Sequence, residues 1–211
     1  MSNKLQKLPA SNLPTTTVNQ TGEKNIHISH AENVSQTVNM HYTVWQQSPN
    51  GGRTKVSQTL NFDYYNLFVI GCETFERDHF LVPKDRALTR GNLPDDLFEK
   101  YATLSDEAKE EIKKYPAIFA SENQHYYGRA GGDQQAIYGF ITDIKVQDNG
   151  VKIYFYPLNH IPQQKLNDLA FELGIRGTTA FNELNRTHWL IKRINLIEVL
   201  KEAGISVLAP I

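Results

Sequence analysis

The feature that most constrains the fold is an Asn-Gly pair, Asn149-Gly150, between two segments in which apolar and polar residues alternate. Asn-Gly is the preferred pair for a two-residue hairpin turn of type I′, because both central positions need a positive φ. The pair therefore predicts a β-hairpin made of residues 137–146 and 151–156. A two-residue turn at this point also fixes the strand register, with Asp148 opposite Val151.

Side-chain alternation along this hairpin gives two faces of different chemistry. The first face is apolar and is expected to join the core; it comprises Ile144, Val146, Ile153 and Phe155. The second face is polar and aromatic; it comprises Asp143, Lys145, Lys152, Tyr154 and Tyr156. Residues of one face recur at every second position, so a consistent separation of this kind supports the predicted register.

Signals elsewhere in the chain predict an α+β fold. Strands are expected near 62–72, 78–82 and 189–194, where aromatic and β-branched residues cluster. Helices are expected to begin near Pro94, Ser105, Pro162 and Asn195, which are residue types that favour helix starts. This order predicts a mixed or antiparallel sheet with helices packed on one side, and a small partly closed barrel is the alternative.

The first sixty residues differ in composition from the rest of the chain. They are rich in Asn, Gln, Ser and Thr, but short alternating segments such as residues 25–29 (NIHIS) are typical of strands with one apolar face. We therefore interpret residues 1–60 as a polar tail or assembly segment that is ordered on a protein partner or a second copy of the chain. Residues 61–211 are expected to form the α+β globular domain, and the protein is expected to be a homo-oligomer.

Composition narrows the function classes. Cys72 is the single cysteine, which excludes an intrachain disulfide and a cysteine zinc cluster, and its apolar neighbours predict that it is buried. No run is apolar enough for a membrane span and the first residues do not resemble a signal peptide, so we expect a cytoplasmic protein without a membrane partner. No cofactor and no metal site are predicted. The net charge of −1 means that any nucleic-acid binding has to come from a local patch.

The polar hairpin face is the best candidate for such a patch. Nucleic-acid-binding modules stack bases on sheet aromatics and hold phosphates with flanking basic groups. Lys145, Lys152, Tyr154 and Tyr156 supply both kinds of side chain and are predicted to form the ligand-binding site. We therefore expect a non-enzymatic binding, adaptor or sensor protein that contacts a nucleotide, a single-stranded nucleic acid or a protein partner. A face covered by a helix or by the tail is the structural alternative.

The same face also permits a catalytic alternative. Asp143-Ile144-Lys145 resembles the local core of metal-dependent PD-(D/E)xK nucleases, in which the acid holds a divalent ion and the lysine steadies the attacking water. This chemistry needs a second acid, which Glu122 or Asp133 could supply. Otherwise no complete catalytic constellation is found in the sequence, so catalytic residues are predicted only under this alternative.

A basic and aromatic segment lies near the C-terminus, at residues 186–193. It could contact phosphate or a partner. The interpretation we favour is an edge strand in which Trp189 and Ile191 pack inward and Lys192 points outward, because a charged edge discourages aggregation.

Two segments resemble proteins of prokaryotic anti-phage conflict systems. Residues 19–28 (NQTGEKNIHI) resemble the Asn- and Gly-rich leaders that join an effector to a sensor or adaptor domain, and residues 184–189 (LNRTHW) resemble a C-terminal signature of similar multidomain defence proteins. Neither segment carries catalytic residues. The resemblance implies a setting, in which this chain is an accessory, adaptor or sensing part, and does not imply a reaction.

Overall fold

The computed structural model describes residues 40–47, 53–178 and 180–207, with side chains described from Leu60 onward. Within these residues the chain forms eight strands and four α-helices. The strands are β1 (Met40–Gln47), β2 (Arg53–Leu60), β3 (Tyr65–Ile70), β4 (His79–Val82), β5 (Pro116–Ser121), β6 (Gln135–Gln147), β7 (Gly150–Pro162) and β8 (His188–Lys192). The helices are α1 (Asp95–Tyr101), α2 (Asp106–Ile112), α3 (Gln163–Asp168) and α4 (Leu196–Glu202).

Six of the strands form one mixed sheet in the order β4-β7-β6-β5-β3-β8. Strands β3 and β5 are parallel, and the other neighbours in this sheet are antiparallel. Because β4 and β8 are its two edges, the sheet is open and the barrel alternative is not formed. The predicted α+β class with a mixed sheet is confirmed. Strands β1 and β2 form a separate antiparallel pair in which Met40 lies opposite Leu60.

Both faces of the sheet are covered, because its central strands are apolar on both sides. Every residue of β3 is buried; Phe68 belongs to one apolar cluster and Leu67 to the other. Helices α1 and α2 pack on the Phe68 face, whereas α3 and α4 pack on the Leu67 face. The helices are thus divided between two faces, where the sequence led us to expect them on one. A strand in which apolar and polar residues do not alternate, such as β3, indicates a sheet that is covered on both faces.

The helix starts agree with the sequence. The Ser105 hydroxyl accepts a hydrogen bond from the Ala108 amide at 3.2 Å, and Asn195 Oδ1 accepts one from the Glu198 amide, also at 3.2 Å. These bonds satisfy amides that a first helical turn leaves without a partner. The two caps were predicted correctly from residue type.

One central strand was not predicted. The Tyr115-Pro116 pair indicated the end of a helix, but Pro116 also begins β5, which lies between β6 and β3. Proline lacks an amide hydrogen but is compatible with the first position of a strand. The short apolar segment after Pro116 did not reveal by itself whether it was helix or strand.

The connection from β3 to β4 crosses most of the sheet. Strand β3 is fifth in the sheet order and β4 is first, and only residues 71–78 join them. Four strand spacings amount to about 19 Å, while eight extended residues reach about 26 Å. The segment is therefore long enough to make this crossing, although the chain turns at Cys72 and at Phe75, whose φ values are 58° and 55°. Phe75, near its middle, is buried in the same cluster as Phe68 and fastens this crossing segment to the sheet.

Side chains are described from Leu60 onward, next to the predicted boundary at residue 61, and the boundary itself stays a prediction. Leu60 is fully buried, and the Asn61 amide donates a hydrogen bond to the Lys114 carbonyl at 3.0 Å. The tail segments with strand-like alternation, before residue 40, lie outside the described residues. The proposed assembly role of residues 1–60 therefore stays a prediction.

Candidate ligand-binding face

The candidate face is built by the β6–β7 hairpin together with the edge strand β4. Ile144, Ile153 and Phe155 point into the cluster around Phe68 and are buried, as predicted. The side chains between them therefore point away from this cluster. We call this surface the hairpin face; it is made of Asp143, Lys145, Lys152, Tyr154 and Tyr156, with His79 of β4 beside Tyr154.

The hairpin register differs from the prediction by two residues. Asp148 and Asn149 form the turn, so Gln147 lies opposite Gly150 and Val146 opposite Val151. A shift of two residues preserves the side-chain faces. For this reason the side chains of the hairpin were assigned to the correct faces, although the predicted residue pairing is wrong.

Contact with β4 explains where Gly150 lies. This residue has φ of 158°, and a Cβ at its position would be 2.5 Å from the Val82 carbonyl oxygen. The glycine is therefore required by the close approach of the neighbouring strand and not as a central residue of the turn. Val146, beside the turn, is 51% exposed, so its predicted core position was wrong.

Two predicted site residues, Lys145 and Lys152, converge on the ring of a third, Tyr154. The ammonium of Lys145 lies 4.8 Å from the centroid of the Tyr154 ring, and that of Lys152 lies 5.3 Å from it. The His79 ring is 5.4 Å away from the same ring, measured between centroids. Tyr154 is therefore half-buried beneath cationic side chains, in a geometry that cation–π attraction favours.

Tyr156 differs from Tyr154 because its ring is open to solvent. It is 57% exposed and lies two residues further along β7 on the same face. The face thus offers one free aromatic ring next to one ring framed by two ammonium groups. Its charge is partly balanced, since the Asp143 carboxylate lies 3.6 Å from Lys145 Nζ.

A groove of about 550 Å³ adjoins the face at Lys152. The crossing segment 71–78, β4 and the hairpin turn line it. Its lining includes the Arg77 guanidinium and the His79 imidazole, which the sequence did not assign to a site. His79 Nδ1 is 2.6 Å from Asp78 Oδ1, and this hydrogen bond lowers the pKa of the Asp78 carboxyl. Cys72 also lines the groove. It is exposed, with φ of 58°, so its predicted burial was wrong: the chain turns immediately after the buried strand.

The structure separates the residues of the nuclease alternative. Asp143 and Lys145 are neighbours, but the Glu122 carbonyl accepts a hydrogen bond from Gln134, which precedes β6 at its opposite end. Positions 134 and 143 are nine residue steps apart along an extended strand, which is about 30 Å. Glu122 itself accepts a hydrogen bond from the Thr187 hydroxyl at 2.6 Å. Asp143 and Glu122 therefore cannot bind a common ion, and in the part of the chain that the structure describes no group of three His, Cys, Asp or Glu side chains is placed to hold one.

The C-terminal basic segment forms the edge strand β8. Trp189 and Ile191 are buried as expected, and the Trp189 indole donates to Asn66 Oδ1 at 3.1 Å. Lys192 does not point outward. Its side chain is 7% exposed, and its ammonium lies 2.6 Å from Glu183 Oε2. The outward prediction failed because the buried Glu183, nine residues earlier, supplies the compensating charge.

Across residues 40–47, 53–178 and 180–207, we find no helix whose length and apolar character would allow it to cross a membrane. In comparisons with known proteins, no family model matches the chain, and neither a curated protein nor a solved structure matches it.

Proposed function

We propose that this chain is a non-enzymatic binding protein, an adaptor or sensor, that holds single-stranded nucleic acid on the hairpin face. The observation that carries the proposal is the convergence of the Lys145 and Lys152 ammonium groups on the Tyr154 ring, beside the exposed ring of Tyr156. Aromatic rings with flanking cations are the combination that sequence-tolerant single-strand binding uses.

The spacing of the two rings suits neighbouring bases of an extended strand. Residues two apart on a β-strand are separated by about 7 Å. Tyr156 can accept a base directly, whereas a base on Tyr154 has to share the ring with a lysine ammonium. Each stacked base contributes about 1–3 kcal/mol of binding free energy. Tyr156 should therefore contribute the larger share.

The electrostatic contribution to binding should be modest. The face provides two lysines and also Asp143, and the net charge of the chain is −1. If each lysine neutralises one phosphate, log K should fall against log salt with a slope of about −1.4. A much steeper slope would place the nucleic acid on a more basic surface.

The defence setting and assembly through residues 1–60 belong to the same proposal. Support comes from the resemblance of residues 19–28 and 184–189 to conflict-system proteins and from the alternating segments of the tail. An adaptor needs two contact regions, and in this proposal the tail supplies one and the hairpin face the other.

Fluorescence anisotropy with labelled twelve-nucleotide DNA and RNA strands tests the binding function. We expect Tyr156→Ala to weaken binding about 5- to 150-fold, which corresponds to the loss of one stacked base. Lys145→Ala/Lys152→Ala should weaken binding and flatten the salt dependence. Melting temperatures measured for each variant separate a binding defect from unfolding.

Two matched controls make the assay specific. Phe171→Ala removes an aromatic ring that is 92% exposed on another part of the surface, and Lys165→Ala/Lys201→Ala removes two exposed lysines from α3 and α4. Both controls should bind like the parent protein. Absence of binding by the parent, or equal losses in the controls, would refute the proposal. Strand cleavage in Mg²⁺ that Asp143→Ala abolishes would replace it with the nuclease alternative.

A further inference from the structure

A second cavity, of about 280 Å³, lies where the segment before β8 meets the loop that precedes α1. Arg176 and Arg186 both line it, together with Asn92, Gly177 and Phe181. We call it the arginine pocket. The residues that line the arginine pocket and those that form the hairpin face come from different segments of the chain. A ligand proposed for the arginine pocket is therefore independent of the nucleic-acid binding proposed for the hairpin face.

The wall that carries Arg176 is held firmly. The Glu183 amide donates to the Arg176 carbonyl at 2.9 Å, and the Arg176 amide donates to Glu183 Oε2, also at 2.9 Å. Gly177 completes the bend with φ of 145°, and a Cβ there would lie 2.4 Å from the Asn182 Cα atom. Such a pocket is largely formed before a ligand arrives, which lowers the entropic cost of binding.

The pocket has an excess of positive charge. Its lining carboxylate, Glu183, is 3% exposed and is neutralised by Lys192 at 2.6 Å. The guanidinium groups of Arg176 and Arg186 are therefore not balanced by it. Arg186 is oriented by a hydrogen bond from Nη2 to Asn92 Oδ1 at 2.7 Å.

The pKa of His188, two residues after Arg186, is also affected by this positive charge. Burial, the largest cause, and the positive charges of Arg186 and Lys192 together lower the pKa of its imidazole to about 3. The smaller contribution of the two cations to this shift is consistent with a positive local field, in which an anion is favoured.

An aromatic surface borders the two arginines. Phe181 is 42% exposed, and the centroid of its ring lies 6.3 Å from that of Tyr126, which is 64% exposed. Tyr126 and Phe181 come from different loops, and the Tyr127 amide links these loops by donating to the Ala180 carbonyl at 2.9 Å. Exposed rings beside the two arginines provide a stacking surface for a planar group.

From this arrangement we infer that the arginine pocket binds a mononucleotide, with the phosphate between Arg176 and Arg186 and the base against Phe181. Guanidinium groups recognise phosphate oxygens in a planar, often bidentate geometry. The volume is near the lower end of the range for small-molecule pockets and suits one nucleotide better than a polymer. This site gives the chain a small-molecule ligand in addition to any partner.

Titration of the full chain with nucleoside monophosphates, followed by calorimetry, tests the inference. Adenosine alone and inorganic phosphate alone serve as the two partial ligands, and each should bind more weakly than the intact nucleotide. Arg176→Ala and Arg186→Ala should each weaken binding about 10- to 150-fold, the usual effect of losing a hydrogen bond to a charged group. Phe181→Ala should weaken nucleotide binding and leave phosphate binding unchanged.

Lys165→Ala/Lys201→Ala is the charge control, since it removes two exposed cations outside the pocket lining. Amide chemical shifts locate the ligand. Changes centred on residues 176–186 support the inference, whereas changes centred on residues 143–156 overturn it and assign the nucleotide to the hairpin face. Absence of binding by the parent chain, or full affinity in both arginine variants, also overturns it.

Discussion

The buried pair of Glu183 and Lys192 gives a sharp test of the energetic reasoning. Its side chains are 3% and 7% exposed and meet at 2.6 Å, so each charge relies on the other in place of water. Lys192→Met leaves a buried carboxylate that retains the Arg176 amide as a donor. Removing one partner of a buried ion pair costs about 3–5 kcal/mol of unfolding free energy. Lys192→Met/Glu183→Leu should cost less than Lys192→Met alone, because it removes the unpaired charge as well.

The chain contains a matched control for this experiment. Lys100 and Glu111 also meet at 2.6 Å, but their side chains are 52% and 32% exposed. Lys100→Met should therefore cost about 1 kcal/mol or less, as exposed pairs do. Urea unfolding followed by circular dichroism gives the four free energies. A Lys192→Met cost no larger than that of Lys100→Met would contradict the argument that burial makes this pair indispensable.

Two further predictions concern acid stability and assembly. Burial lowers the pKa of His188 to about 3 in the folded chain, so the stability that depends on its neutral form is present above pH 6.5 and is lost as the pH falls toward 3. We expect a loss of about 2 kcal/mol between pH 6.5 and 5, and a smaller one in His188→Leu, measured by urea unfolding at each pH; equal losses would contradict this assignment. Deleting residues 1–59, which keeps the buried Leu60, should lower the mass measured by light scattering while the domain stays folded. An unchanged monomer mass before and after the deletion would rule out the assembly role.

Local chemistry was enough to predict several elements of this fold. The helix caps at Ser105 and Asn195 depend on one side chain and an amide three residues later, and both were found from residue type. The hairpin was found because its strands are adjacent in sequence. Its faces were also predicted, since they depend only on alternation along each strand.

What failed was decided by residues distant in sequence. Gly150 was assigned to the turn, but the Val82 carbonyl, close to it in space, determines the need for a glycine there. Lys192 was expected outside because its buried partner, Glu183, precedes the strand and begins a three-residue 3-10 helix that the sequence did not predict. Strand β5 was missed since its central place in the sheet is a tertiary property.

The arginine pocket is a functional example of a feature that depends on residues distant in sequence and could not be predicted. Arg186 begins a segment that is recognisably basic in the sequence, whereas the sequence around Arg176 has no distinguishing pattern. The structure brings both to one cavity through the hydrogen bonds between Arg176 and Glu183. These hydrogen bonds could not be predicted from residue spacing. Among the described residues of 176–186, the helix Glu183–Asn185 has three residues, too few to give a periodic pattern.

The crossing segment 71–78 has a consequence for how the domain folds during its synthesis on the ribosome. It delivers β4 to the far edge of the sheet, where His79 pairs with Tyr154, a residue made about 75 positions later. At about 5–20 residues per second, the nascent β4 waits roughly 4–15 s before its docking strand has been synthesised. During that interval Phe75 and Phe80, which are buried in the finished domain, have no completed sheet to cover them. Completion of this edge is therefore timed by the synthesis of the hairpin and not by the synthesis of β4 itself.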